Sequence, residues 1–227
     1  MVVYLVLSLA IILAVNFIVF QTLGNGFLSC ILKLFASIAF IALGIAGIAF
    51  GDGSTNLGLM FILGAGFGLV GDGVLALREM DDGSRDFLII LNGIVSFAIG
   101  HIFYYIALVQ YAGFTFWAPV IGTILTCVIM LVSIMVMKLN YRKLLIPVVT
   151  YAFMLTTTMV QAIFGAIVSG GSIFGILTAI GFTLFLASDL VLSLIYFVPN
   201  KDKKLPVINY SLYYPAQILI MLALFFI

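Results

Sequence analysis

Two aspartates, Asp72 and Asp189, lie within apolar stretches that are long enough to cross a lipid bilayer. Holding an ionised carboxylate in a bilayer costs at least ~2.5–3.5 kcal/mol, so acidic residues in such stretches are typically functional. Two carboxyl groups in a low-dielectric pocket repel each other, and the repulsion keeps one protonated while the other ionises. The pair therefore suits general acid–base chemistry, with one group donating a proton and the other stabilising a cation or activating water.

Further polar side chains lie in neighbouring apolar runs at a similar depth. At ~1.5 Å per helical residue, Asp72 and Asp189 are roughly 9 and 15 Å from one end of their helices. The residues expected to reach the same half of the bundle are Lys33, Tyr213, Tyr214 and Gln217. The only histidine, His101, lies deeper, roughly 22 Å from the start of its helix. It would join the site from below, with Tyr104 one turn away.

Structural roles are open alternatives for these residues. Each aspartate could simply pair with Lys33 or join polar contacts between packed helices. Lys33 could instead extend its ammonium to the membrane surface, and His101 could make a structural hydrogen bond. Tyrosines pack helices as well as lining sites.

A metal centre or cofactor site is not expected. Catalytic zinc normally takes three protein ligands, commonly histidines, and this chain has one histidine and two cysteines, Cys30 and Cys127. Both cysteines fall in apolar runs and are expected to be buried free thiols. The sequence has no glycine-rich phosphate loop, nucleophile elbow or dinucleotide fingerprint. Its net charge of +1 gives no reason to expect nucleic acid as a partner.

Transmembrane helices are the elements that must position these residues. The chain is 65% hydrophobic and 7% charged, whereas about a quarter of a typical globular sequence is charged. Short breaks with Gly, Pro, Asn or charged residues separate apolar runs of about 20 residues or more. They predict eight helices, near 2–21, 27–50, 57–77, 86–110, 116–137, 143–168, 172–198 and 206–226. We expect an all-α polytopic protein in which residues 1–227 form a single integral membrane domain.

The loop charges predict the orientation of this bundle. All but one of the nine basic residues fall in the third, fifth and seventh loops, which lie on one face of an eight-helix bundle. The positive-inside rule places that face in the cytoplasm and both termini outside. In a bacterium the host would be the cytoplasmic membrane.

A weak internal repeat relates the two halves of the chain. Residues 72–77 (Asp-Gly-Val-Leu-Ala-Leu) match 189–194 (Asp-Leu-Val-Leu-Ser-Leu), and 103–107 (Phe-Tyr-Tyr-Ile-Ala) match 212–216 (Leu-Tyr-Tyr-Pro-Ala). The matched helices cross the membrane in the same direction, so the pattern indicates a parallel 4+4 repeat rather than an inverted one. Such a repeat would bring Asp72 and Asp189 into facing positions.

Four short motifs occur in order along the chain. They are Gly71-Asp72-x-x-Leu75, Gly100-His101-x-x-Tyr104, Phe185-x-x-Ser188-Asp189-x-x-Leu192 and Tyr213-Tyr214-x-Ala216-Gln217. The set resembles the YhhN-like lysoplasmalogenase family of multi-pass membrane proteins, and the resemblance covers nearly the whole chain, from the second predicted helix to the eighth. The resemblance implies hydrolysis of the vinyl ether bond of a lysoplasmalogen, which releases a fatty aldehyde and a glycerophospho-alcohol.

The chemistry of that reaction agrees with the residues. Protonation of the vinyl β-carbon gives an oxocarbenium ion that water captures, so the step needs a general acid and a second carboxylate, as in glycosidases. Asp72 and Asp189 are the expected pair, in either order, and Lys33 is expected to bind the lipid phosphate. The residues expected to line the pocket or orient water are His101, Tyr104, Tyr213, Tyr214 and Gln217.

A proton-coupled transporter or lipid carrier is the alternative from another class. It would use the same acids as a relay across the membrane. A relay needs polar residues on both sides of the midplane, whereas this set lies mostly in one half.

Overall fold

Eight long helices make up the part of the protein that the structure describes. The computed structural model describes residues 2–23, 26–51, 55–79, 83–198, 202 and 204–227, and the regular secondary structure within them is entirely helical. The long helices are α1 (Val2–Thr22), α2 (Gly26–Phe50), α3 (Thr55–Ala76), α4 (Asp86–Ala112), α5 (Trp117–Leu131), α6 (Leu145–Val168), α7 (Ile173–Phe197) and α8 (Leu205–Ala223). In the described part of the chain, eight helical spans are long and apolar enough to cross a membrane, so the predicted all-α, multi-pass fold is confirmed.

The end of α5 differs from the predicted span of 116–137. Regular α-helical bonding ends at Leu131, and the span continues as a π-helical turn over Val132–Val136. The Ser133 hydroxyl donates to the Met130 carbonyl at 3.0 Å, and such a side-chain bond competes with the backbone ladder. The turn brings the chain into the short link between α5 and α6.

The helices pack as a closed ring of six with two outer helices. Around the ring, α2 packs against α3, α3 against α4, α4 against α6, α6 against α7, α7 against α8, and α8 against α2. The outer helix α1 packs on α2 and α8, and α5 packs on α6. Each contact around the ring has a counterpart in the other half of the chain. The pair α2–α3 corresponds to α6–α7, α3–α4 to α7–α8, and α4–α6 to α8–α2. The pattern supports the predicted parallel 4+4 repeat.

Glycines allow α3 and α4 to approach closely. A Cβ atom at Gly100 would lie 2.8 Å from the Gly64 carbonyl oxygen, and one at Gly71 would lie 2.7 Å from the Phe97 ring. Small residues commonly permit such close approach between helices in membranes. Asp72 and His101 directly follow two of these glycines, so the α3–α4 contact holds both residues in the interior.

The outer surface of the bundle is strongly apolar. Large aliphatic side chains such as Met135 and Ile146 are more than 70% exposed, as expected of a lipid-facing surface. Both cysteines are free, but Cys127 is exposed and Cys30 is only half-buried, so their predicted burial was wrong. The outer helix α5 leaves most of its circumference unpacked, which explains the exposure of Cys127.

One end of the bundle carries the described basic loop residues. Successive spans alternate in direction, so the links between α3 and α4 and between α5 and α6 lie at the same end. We call this end the basic face; its described members are Arg78, Arg85, Lys138, Arg142, Lys143 and Lys204. The seventh-loop residues Lys201 and Lys203 lie outside the described residues. Assignment of the basic face to the cytoplasm stays a prediction.

Candidate functional site

Asp72 is held by donors from two other helices. The Ser37 hydroxyl on α2 and the Tyr213 hydroxyl on α8 each donate to Asp72 Oδ2 at 2.7 Å. Lys33 Nζ, also on α2, lies 3.4 Å from Oδ1. The Asp72 side chain is buried, so this ammonium and the two hydroxyls replace the water that would otherwise stabilise the carboxylate.

Lys33 is buried rather than extended to the surface. Only 6% of the residue is exposed, and its ammonium lies 5.5 Å from the centre of the Tyr210 ring. Of the alternatives for Lys33, pairing with an aspartate is therefore confirmed, and extension to the membrane surface is wrong. Its predicted contact with a lipid phosphate stays a prediction.

Asp189 on α7 has a different environment. The Tyr151 hydroxyl on α6 donates to Oδ2, and the Ser188 hydroxyl lies 3.4 Å from Oδ1. Asn209 on α8 donates to the Ser188 carbonyl at 2.7 Å, which fixes the α7 backbone beside the acid. Among the ion pairs of the described residues, none joins Asp189 to a cation.

The two aspartates face one small cavity, which we call the carboxylate cavity. Its volume is about 20 Å³, and its lining includes Lys33, Asp72, Asp189, Asn209 and Tyr213. A space of this size is sufficient for about one water molecule. Both carboxyl groups therefore face the same small space. The fold therefore brings together four of the predicted site residues, both acids among them.

Asp189 also faces a second, apolar cavity. This cavity has a volume of about 90 Å³ and lies between α4, α5, α6 and α7, with Ile94, Leu155 and Leu186 in its wall. Phe97, Asp189 and Tyr196 line both the apolar and the carboxylate cavities. Asp189 thus lies at the boundary between the apolar cavity and the carboxylate cavity.

Four other predicted residues lie around this centre. Gln217 donates to the Tyr213 hydroxyl at 3.1 Å, and the Tyr214 ring packs 5.4 Å from the Tyr213 ring. The structure thus places Gln217 and Tyr214 behind Tyr213. Their predicted contact with a substrate stays a prediction.

His101 lies in an aromatic layer beneath the site, together with Tyr104. Its ring centre is 4.9 Å from that of Phe185 and 5.7 Å from that of Tyr151. Neither ring nitrogen finds a hydrogen-bond partner within the described residues, so the predicted structural hydrogen bond of its side chain is not found there. His101 reaches Asp189 only indirectly, through Tyr151.

Sequence reasoning missed three residues that position the acids: Ser37, Tyr151 and Asn209. Ser37 is four residues after Lys33, a spacing that places both on one helix face, so this residue had a usable signal. Tyr151 is roughly 9 Å from the basic end of α6 at ~1.5 Å per residue, in the same half of the bundle as Asp189. Depth alone does not give the direction of a side chain, and no motif includes Asn209.

Comparison with known proteins gives one match. Nothing among curated proteins or among solved structures matches the chain. The model of the YhhN family matches residues 28–224, a range that contains every residue lining the carboxylate cavity. The match confirms the resemblance predicted from the motifs. Because it extends over α2 to α8, the chain belongs to the YhhN family.

Proposed function

We propose that this protein is a hydrolase that cleaves the vinyl ether bond of a lysoplasmalogen, with a fatty aldehyde and a glycerophospho-alcohol as products. Membership of the YhhN family is consistent with this activity. The observation that carries the proposal is the position of Asp189 between a hydrocarbon-lined cavity and a second carboxyl group. A single-chain lipid with the vinyl end of its alkenyl chain in the apolar cavity would present its vinyl ether to Asp189.

Asp189 is the better candidate for the general acid. It has no cationic partner among the described residues, and it lines the apolar cavity where the alkenyl chain would lie. An apolar surrounding favours the neutral form of a carboxyl group, which is the form that can donate a proton. Transfer of that proton to the β-carbon leaves an oxocarbenium ion at the α-carbon.

Asp72 then supplies the second carboxylate of the pair. The Lys33 ammonium and the hydroxyls of Ser37 and Tyr213 stabilise it by charge-assisted contacts. A carboxylate at this position stabilises the oxocarbenium ion and orients a water molecule in the carboxylate cavity. Water adds to the α-carbon and gives up one proton to the Asp189 carboxylate, which restores the acid. The resulting neutral hemiacetal collapses to the aldehyde and the alcohol.

The test uses purified protein in lipid nanodiscs with a lysoplasmalogen and its saturated 1-O-alkyl analogue of equal chain length and headgroup. Aldehyde is expected from the vinyl ether alone, because the alkyl ether has no β-carbon that can accept a proton. In D₂O the aldehyde should carry one new deuterium next to its carbonyl. Since the reaction uses only protons and water, activity should survive strong chelators. Proton-coupled lipid movement without aldehyde release would favour the transporter instead.

A further inference from the structure

We infer that a third cavity, on the basic face, binds the lipid phosphate through Arg142 and Lys143, whereas Lys33 pairs with Asp72. The inference rests on the proposed function for the identity of the lipid. The cavity has a volume of about 760 Å³ and is lined by Asn140, Arg142, Lys143 and largely apolar residues of α4 and α7. We call it the basic mouth.

The basic mouth adjoins the apolar cavity. Ile90, Tyr141, Tyr196 and Phe197 line both spaces. The rings of Tyr141 and Phe197 meet at 4.6 Å between centroids, and they form part of the shared wall. A lysophospholipid could keep its headgroup in the basic mouth with the vinyl end of its chain in the adjoining apolar cavity.

Arg78 fixes the wall that the cavities share. Its guanidinium makes two contacts with the Asp86 carboxylate, at 2.8 and 2.9 Å, and lies 4.7 Å from the centre of the Tyr196 ring. The hydrogen bond to Asp86 raises the pKa of Arg78, so the guanidinium stays charged. Tyr196 lines all three cavities, and this contact holds it at their junction.

The dimensions agree with a lysoplasmalogen. Arg142 and Tyr151 are separated by nine residues, or roughly 13 Å along the helix. Six bonds join the phosphorus of a lysoplasmalogen to its vinyl carbon, which is roughly 9 Å at ~1.5 Å per bond. The helical span is longer than the span from phosphorus to vinyl carbon by several ångströms, and the long side chains of Arg142 and Lys143 can reach over that distance. A vinyl ether beside Asp189 thus places the phosphate near the basic mouth.

Lys33 is a poorer phosphate site than the basic mouth. Its ammonium already neutralises Asp72, and the adjoining carboxylate cavity holds only about 20 Å³. A phosphate in contact with Lys33 would place a second anion beside a buried carboxylate. Arg142 and Lys143 are both exposed, and a guanidinium can bind two phosphate oxygens at once.

Binding of a lipid that cannot be hydrolysed tests the inference separately from catalysis. The probes are a 1-O-alkyl lysophosphatidylcholine and the 1-O-alkylglycerol of equal chain length, and native mass spectrometry measures the fraction of protein bound to each. In Arg142→Gln/Lys143→Gln, the preference for the phosphate-bearing lipid should fall about tenfold or more, because charge-assisted hydrogen bonds are lost. The control Lys138→Gln/Lys204→Gln removes two exposed charges from the same face and should keep the preference.

The outcomes separate the two proposals. An unchanged preference in Arg142→Gln/Lys143→Gln, or an equal loss in the control, would overturn the phosphate site. If Lys33→Met lost the preference for the phosphate-bearing lipid and Arg142→Gln/Lys143→Gln kept it, the phosphate site would be assigned to Lys33 instead. Displacement of the lysophospholipid by an equal concentration of inorganic phosphate would show a site for free phosphate rather than for a lipid. If the preference falls as expected but a lysoplasmalogen yields no aldehyde, the phosphate site stands and the proposed reaction fails.

Discussion

The Tyr151 hydroxyl on α6 donates a hydrogen bond to the Asp189 carboxyl group on α7. Ser37 on α2 does the same for Asp72 on α3, and α2 and α3 occupy the positions in the first half that α6 and α7 occupy in the second. Each acid thus receives a hydroxyl donor from the preceding helix. The two halves differ in their ion pairs. The buried ammonium of Lys33 pairs with Asp72, whereas Asp189 has no ion pair among the described residues.

Tyr151→Phe should lower kcat by about tenfold, with little change in KM. The substitution keeps the ring but removes the donor that would stabilise the carboxylate left on Asp189 after proton transfer. A hydrogen bond to a charged group is typically worth ~1.5–3 kcal/mol. Tyr111→Phe is the matched control, because it removes a hydroxyl bonded to Ser172 at 2.5 Å near the opposite end of the bundle. Steady-state kinetics would contradict the positioning role if both variants lost activity equally.

Asp189→Asn should reduce kcat/KM by ~10²-fold or more, since general acids contribute ~10²–10⁴-fold. The helices should remain folded, because the substitution leaves no ion pair broken among the described residues. Aldehyde release measures the first effect and circular dichroism the second. A variant that kept more than about a tenth of wild-type activity would remove Asp189 from the catalytic pair.

The sequence predicted the spans and the depth of the acids because both depend on distances along the chain. Apolar length and helix-breaking residues gave the eight spans, and a constant rise per residue placed Asp72 and Asp189 in the same half. Rotation of each helix about its axis was not predictable, since helices apolar on every side carry little information about which face is buried. The partner of Lys33, the donor from Tyr151 and the aromatic surroundings of His101 all depend on that rotation.

The orientation can be tested by labelling Asn140→Cys in a chain that also carries Cys30→Ser and Cys127→Ser. The one-sided distribution of Lys and Arg predicts that position 140 faces the cytoplasm, so an impermeant maleimide should label it only after permeabilisation. Phe114→Cys, in the link between α4 and α5, should label in intact cells. Labelling of position 140 in intact cells would reverse the predicted topology.

Gly100→Ala should destabilise the protein by about 1–3 kcal/mol, the usual range for an overpacked core. The added Cβ would lie 2.8 Å from the Gly64 carbonyl oxygen, so α3 and α4 must separate and carry Asp72 with them. Gly66→Ala is the control on α3, since its Cβ would meet nothing within 4 Å. Equal unfolding temperatures for the two variants would contradict the close α3–α4 contact.

Asp72 and Lys33 should stabilise the fold as a pair, whereas catalysis should require the Asp72 carboxylate itself. Asp72→Asn leaves a buried ammonium without its carboxylate, and breaking a buried pair in this way typically costs ~3–5 kcal/mol. Lys33→Met alone strands the carboxylate in the same way. The double variant Asp72→Asn/Lys33→Met removes both charges, so we expect it to regain most of the lost thermal stability while remaining inactive, because the catalytic carboxylate is still missing.

Kinetics of Lys33→Met distinguish support of Asp72 from phosphate binding. If Lys33 supports the Asp72 carboxylate, kcat should fall alike for a lysoplasmalogen and for the matching 1-O-alkenylglycerol that has no phosphate. If Lys33 binds the phosphate, KM should rise by about ten- to a hundredfold for the lysoplasmalogen alone. The contact of Lys33 with Asp72 favours the first result. Two results together would contradict the role of Lys33 as the partner of Asp72. They are a rise in KM for the lysoplasmalogen alone, and a double variant that is no more stable than either single variant.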